Sequence, residues 1–101
     1  MKKDLLPIGT VVVLKESEGR VMISGYLPVT DSDGTYVWDY SGFRFPIGYV
    51  NDKEVYCFDH EQIDAVIQYG FKDYECIDLL DKIEEAMDEI KEKVAGGQEN
   101  V

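Results

Sequence analysis

Apolar residues follow one period in the first three quarters of the chain and another in the last quarter. Residues 8–15 are rich in β-branched side chains, and residues 20–27 follow a short acidic turn. Together they predict a β-hairpin. Gly25 within the second run predicts a bulge or a strong bend. From 73 to 95, apolar residues recur at steps of three and four, which is typical of an amphipathic helix.

The segment 35–43 carries an aromatic alternation. Tyr36, Trp38 and Tyr40 are separated by single residues, so a period of two places them on one face of a third strand. An Asp-Ser-Asp-Gly sequence at 31–34 precedes this strand and predicts a turn. It does not fit a calcium loop, because the first and last ligand positions of such a loop would hold Val and Tyr.

Two more strands are predicted before the helix. Residues 54–58, Glu-Val-Tyr-Cys-Phe, form a short apolar run between polar segments. Residues 63–69 fit either a strand or a helix, but the alternation of Ile67 and Tyr69 around a polar residue favours a strand. Between the two runs, Asp59 is a candidate cap at a sharp corner.

These elements predict an α+β fold in a single domain. We expect a small, strongly bent five-stranded antiparallel sheet, or an SH3-like half-barrel, with one C-terminal amphipathic helix. The expected organisation is a flexible N-terminus at 1–4, a β-rich body over 5–71, a helix over 73–95 and a tail over 96–101. Asp73 is expected to cap the helix, and two glycines at the start of the tail are expected to end it.

The net charge of the chain disfavours two classes of binding partner. Of 101 residues, 21 are acidic and 10 are Lys or Arg, so the formal net charge is −11. Nucleic acids and anionic membrane surfaces are therefore disfavoured as partners, because both require clustered cations. The start of the chain lacks the long apolar segment of a secretory signal, and no apolar run reaches transmembrane length. We therefore expect the protein to be cytoplasmic.

Candidate catalytic or metal-binding residues are few. His60 is the single histidine, and no second histidine is available to complete a metal site. Cys57 and Cys76 lack the spacing of a metal or redox motif, and they predict reduced thiols. Acidic neighbours of Cys76 disfavour a thiolate nucleophile by charge repulsion. We therefore expect no enzyme activity, no cofactor and no metal, and a local structural role for His60 beside Asp59.

The apolar stripe of the helix is longer than a small β-rich body requires. We expect its first half to pack on the body. Its second half, Met87 to Val94, either packs there too or docks on a partner helix or a second copy of the chain. The aromatic strand offers a second candidate surface. The candidate partner-binding residues are Trp38, Tyr40, Ile83, Met87, Ile90 and Val94.

Several segments together resemble one family of small proteins from Gram-positive bacteria, the domain family of unknown function DUF4176. The resemblance covers residues 5 to about 75. It rests on the segments 6–12 (Leu-Pro-Ile-Gly-Thr-Val-Val), 14–15 (Leu-Lys), 21–25 (Val-Met-Ile-Ser-Gly), 38–42 (Trp-Asp-Tyr-Ser-Gly), 45–48 (Phe-Pro-Ile-Gly), 58–63 (Phe-Asp-His-Glu-Gln-Ile) and 70–71 (Gly-Phe). Asp59 stands where the family usually has Asn, an exchange that a corner cap tolerates.

The resemblance implies a biological context. Genes of this family are often found beside those of LXG-type toxins and small helical partners of the type VII secretion system. It therefore implies a cytoplasmic adaptor or chaperone that binds a secreted toxin or its targeting factors, without catalytic residues. The alternative is an immunity protein that neutralises a cognate toxin. A homodimer through the C-terminal helix is a further expectation from the apolar stripe.

Overall fold

The chain forms a β-sheet covered by one long helix, as seen in a computed structural model that describes residues 4–30 and 35–99. The strands are β1 (Val11–Leu14), β2 (Arg20–Tyr26), β3 (Val29–Thr30), β4 (Tyr36–Val37), β5 (Tyr40–Phe45), β6 (Val55–Phe58) and β7 (Ile63–Gln68), and the helix α1 spans Tyr74–Glu99. Five strands form an antiparallel sheet in the order β6-β5-β2-β1-β7, and β3 pairs with β4 in a separate ribbon. The predicted α+β fold, a five-stranded antiparallel sheet with one helix, is confirmed.

Two local predictions within this sheet are confirmed. The register of β2 against β5 shifts between Ile23 and Gly25, which places the expected irregularity at the glycine. The ambiguous segment 63–69 forms the strand β7 at one edge of the sheet. The turn predicted at 31–34 lies outside the described residues.

The prediction of one continuous third strand over residues 35–43 is wrong. It is divided between β4 and β5, and the break falls at Trp38 and Asp39. There the backbone turns to pair with the end of β2: the Trp38 amide donates to the Pro28 carbonyl, and the Leu27 amide donates to the Asp39 carbonyl. The aromatic alternation therefore does not continue on one face, because the Tyr36 side chain is 47% exposed whereas that of Tyr40 is fully buried.

The core lies between the sheet and α1. The sheet contributes side chains from four strands, and the segment before β1 contributes two leucines that insert beneath the helix. The core consists of Leu5, Leu6, Val12, Val21, Ile23, Tyr40, Phe58, Leu80 and Met87. Burial of this apolar set is the main stabilising contribution.

The helix begins where the sequence predicts. The Asp73 side chain accepts a hydrogen bond from the Cys76 amide at 3.0 Å, so Asp73 caps the first turn. The end of the helix was predicted wrongly, because α1 continues through the glycines at 96–97 to Glu99. A helical glycine costs about 1 kcal/mol relative to alanine, which weakens a helix without necessarily ending it. Of the predicted tail, residues 100–101 lie outside the described part of the chain.

The β7 edge of the sheet is irregular. Along β1, the Cα partner of Val11 is Gln68 and that of Val12 is Val66, so Ile67 has no residue directly opposite. Asp64, three residues earlier on β7, also has no residue directly opposite. Both extra residues lie on β7, as in β-bulges.

Candidate protein-binding surface

The structure separates the six predicted partner-binding residues. Tyr40 and Met87 are 0% and 1% exposed and belong to the core, so neither is accessible to a partner in this fold. Ile83 packs against the same core, and Trp38 and Val94 are half-buried. The Ile90 side chain is 37% exposed, so part of it is accessible to a partner. Partner binding through Trp38, Ile83, Ile90 and Val94 stays a prediction.

The second half of α1 is held to the body by a buried ion pair. The Lys91 ammonium donates to the Asp39 carboxylate at 2.5 Å, and the Asp39 side chain is fully buried. The second oxygen of that carboxylate accepts a hydrogen bond from the His60 amide at 2.8 Å. The Asp59 carboxylate lies 3.8 Å from the Lys91 ammonium, and it accepts a hydrogen bond from the Asp39 amide. This segment, which the sequence left open to a partner, is therefore fixed by contacts within the chain.

His60 forms part of the same corner. Its Nδ1 lies 2.7 Å from the Tyr40 hydroxyl, and the hydroxyl oxygen also accepts the Leu6 amide at 3.1 Å. Burial raises the pKa of the Tyr40 hydroxyl well above its ordinary value of 10. Asp59 lies at the cap of the 3₁₀ turn His60–Gln62, and its amide donates to the Gln62 side chain. These contacts give His60 and Asp59 the local structural role that the sequence predicts.

The exposed apolar surface lies instead around the first half of α1. Six large side chains there are between 41% and 91% exposed, and they come from the segment before β1, the link between β7 and α1, and the first turns of the helix. We call this set the helix-entry surface. It consists of Ile8, Tyr69, Phe71, Tyr74, Ile77 and Leu79.

A close backbone crossing brings the parts of this surface together. The Gly70 amide donates to the Thr10 hydroxyl at 3.0 Å, and that hydroxyl donates to the Pro7 carbonyl at 2.7 Å. A Cβ on Gly70 would lie 2.1 Å from the Ile8 carbonyl oxygen, so only glycine permits this approach. The crossing fixes the aromatic link against the start of β1, and it places Phe71 beside Ile8.

Two grooves run along the first half of the helix. One, of about 530 Å³, is lined by Ile8, Tyr26, Phe71, Glu75, Cys76, Leu79 and Leu80. The other, of about 400 Å³, lies between the helix and the segment before β1, and its lining includes Tyr69, Ile77, Leu80, Asp81 and Glu84. Leu80 lines both, so the two grooves flank one ridge of the helix. Burial raises the pKa of Tyr26, in the first groove, to about 12.

Acidic side chains surround these grooves. Asp73, Glu75, Asp78 and Asp81 on or just before the helix are all exposed, as is Asp4 in the segment before β1. The Glu84 carboxylate is half-buried and accepts the Leu5 amide at 3.0 Å. Lys72 and Lys82 are the cations of this stretch, and Lys82 already pairs with Asp78 at 3.0 Å. The helix-entry surface is therefore apolar with a negative border.

A second, smaller apolar region lies in the β5–β6 connection. Phe45, Ile47, Tyr49 and Val50 are between 37% and 66% exposed. The Tyr49 ring packs edge-on against Phe43 at 5.5 Å, and the Arg20 guanidinium lies 5.1 Å from the centre of the Phe45 ring. A cation therefore lies over one of the aromatic rings of this region.

Sequence reasoning missed the helix-entry surface, although part of its signal is visible. The link 69–74 carries Tyr69, Phe71 and Tyr74 in an otherwise polar and glycine-containing stretch. Exposed aromatics in a connection are candidates for binding, because loops placed by a rigid scaffold often carry function. The exposure of Leu79 depends on the rotation of the helix about its axis, which its contacts with the body set.

Comparison with known proteins assigns the family. The family described as Domain of unknown function (DUF4176) matches residues 5–79. The chain belongs to the DUF4176 family. No curated protein and no solved structure matches it. The DUF4176 match includes the whole helix-entry surface and ends before Met87 and Lys91.

Potential metal ligands are dispersed in the described part of the DUF4176 protein. Among the side chains of residues 4–30 and 35–94, no group of three or more His, Cys, Asp or Glu is arranged to hold a metal ion. Cys57 and Cys76 are free thiols, both partly buried, and burial raises the pKa of the Cys57 thiol. Within the same described ranges, no helix combines the length and apolar character needed to cross a bilayer.

Proposed function

We propose that this DUF4176 protein is a non-catalytic cytoplasmic accessory protein that binds another protein through the helix-entry surface. The observation that carries the proposal is the exposure of large apolar side chains on a fixed frame, with Phe71 81% and Tyr74 91% exposed. Contiguous exposed apolar surface on a small domain is characteristic of protein-interaction sites. The Gly70 crossing pre-organises this surface, which reduces the ordering cost of binding.

The partner in this proposal follows from the family context. A secreted LXG-type toxin of the type VII system, or one of its small helical targeting factors, would be held by the protein as by an adaptor or chaperone. The chemistry of the chain supports a binding role over catalysis, because His60 is engaged by Tyr40 and both cysteines are partly buried. Replacing His60 or Cys57 with Ala is therefore expected to leave partner binding intact.

The test is co-expression with the LXG toxin encoded beside the gene, followed by affinity capture. The double variant Phe71→Ser/Leu79→Ser should lose the complex, since it removes two apolar side chains from the groove. The matched control is Ile47→Ser/Val50→Ser, which changes two exposed apolar residues in the β5–β6 connection. A complex that survives the first variant, or no complex with any neighbouring gene product, would contradict the proposal.

An immunity role is the second candidate, and the net charge of −11 favours it where the toxin domain is basic. The two roles differ in a toxicity assay. Protection of cells that produce the toxin together with this protein alone would indicate immunity. Improved solubility or export of the toxin without protection would indicate the adaptor or chaperone role.

A further inference from the structure

The helix-entry surface restricts the shape of what it can bind. The groove lined by Ile8, Phe71 and Leu79 lies on one side of α1, and its lining residues on the helix extend from Glu75 to Leu80. Six helical residues span about 9 Å, close to two turns. An amphipathic helix presents apolar side chains at matching intervals and docks into grooves of this kind.

An extended strand is a poorer fit at this location. The nearest open sheet edge is β7, where the extra residues Asp64 and Ile67 interrupt the regular register. Bulges at an edge twist it and disrupt the hydrogen-bond ladder that strand addition needs. Side-chain docking in the grooves is therefore favoured over main-chain pairing at β7.

The charge of the border restricts the partner further. Six acidic residues border the grooves against two lysines, one of which is paired with Asp78. A second copy of this chain would bring two negative borders together, so self-association here is opposed. A partner with cations beside its apolar side chains would instead be attracted to the border and oriented by it.

We infer that the helix-entry surface binds an amphipathic helical segment whose apolar stripe is flanked by Lys or Arg. The inference rests on the proposed function and specifies the partner of the same surface. The apolar stripe of the segment covers Ile8, Phe71 and Leu79, while a flanking cation lies against Glu75 in the same groove.

Two designed helical peptides of about five turns, or about 18 residues, test the inference. They share one leucine stripe and differ only in whether Lys or Glu flanks it. Fluorescence anisotropy at low and high salt should show that the Lys-flanked peptide binds. Its affinity should fall as the salt concentration rises, because exposed charges are screened. The Glu-flanked peptide should not bind measurably.

A charge reversal in the protein locates the effect. Glu75→Lys should weaken binding of the Lys-flanked peptide by more than about fivefold at low salt. The control Glu92→Lys makes the same change in net charge in the second half of α1, and it should have a smaller effect. Equal weakening by both variants would show that only the overall charge matters, which overturns the inference.

The outcomes separate this inference from the proposed function. Equal affinity for the two peptides, together with loss of both in Phe71→Ser/Leu79→Ser, overturns the cationic partner and leaves the binding surface in place. The same holds if the natural complex is unaffected by Glu75→Lys but lost in the serine variant. Binding that does not depend on Phe71 and Leu79 overturns the proposed function itself.

Discussion

The two halves of α1 differ in how their side chains are used. In the second half, Met87 is almost fully buried and Lys91 neutralises the buried Asp39 carboxylate. In the first half, Ile77 and Leu79 remain 41% and 50% exposed, and only Leu80 is fully inserted in the core. The first half packs on the body through Leu80, as the sequence predicts, and the second half packs there too, which the sequence had left open between body packing and a partner. A continuous apolar stripe thus does not show which part of a helix its own domain covers.

The largest effect should come from breaking the ion pair of the second half. Lys91→Met removes the ammonium that pairs with the buried Asp39 carboxylate, which costs about 3–5 kcal/mol. Lys93→Met is the matched control, because Lys93 pairs with Glu89 on the exposed face, where such pairs contribute about 0–1 kcal/mol. Urea denaturation of both variants measures the difference. A similar small loss in both would show that the Lys91 pair does not hold the helix.

Apolar truncation compares the two halves directly. Met87→Ala should lower the free energy of unfolding by about 2–4 kcal/mol, since Met87 is 1% exposed and leaves a cavity. Phe71→Ala, in the helix-entry surface, should change it by less than about 0.5 kcal/mol because Phe71 is 81% exposed. Thermal or urea unfolding measures both. A large loss for Phe71→Ala would mean that this side chain supports the fold.

The backbone crossing beneath the helix-entry surface should have an intermediate effect. Gly70→Ala introduces a Cβ 2.1 Å from the Ile8 carbonyl oxygen, so the link must shift, at about 1–3 kcal/mol. Gly48→Ala is the control. No atom lies within 4 Å of its Cβ, and only its positive φ of 81° is strained, at about 1 kcal/mol. If the crossing pre-organises the surface, Gly70→Ala also weakens partner capture, whereas Gly48→Ala does not.

The smallest effect is expected from Tyr26, which lines a groove of the first half and lies 6.0 Å from the core residue Tyr40. Its folded pKa is raised from 10 to about 12, so its contribution to stability is complete below pH 10 and is lost as pH rises through 12. The stability of Tyr26→Phe should therefore fall less steeply than that of the unmodified protein as the pH rises from 10 to 12. The urea midpoint at each pH measures this. Identical pH dependence would contradict the burial of this hydroxyl.

What the sequence predicted well is local. The five strands of the sheet, the irregularity at Gly25 and the cap at Asp73 all follow from neighbouring residues and short periods. The break at Trp38 and Asp39 was not predicted in this way. There the backbone pairs with Leu27 and Pro28, and the Asp39 carboxylate is paired with Lys91, 52 residues further along the chain. The helix-entry surface was also missed. Its exposure follows from the rotation of α1 that inserts Leu80 and Met87 into the core.

The two extra residues of β7 have a consequence for the behaviour of the protein at high concentration. A large exposed apolar surface beside a regular, open sheet edge would invite aggregation. Ile67 and Asp64 interrupt that edge, and the net charge of −11 adds mutual repulsion between copies. The irregular strand therefore allows the molecule to expose the apolar helix-entry surface to a partner while it disfavours the growth of intermolecular sheets.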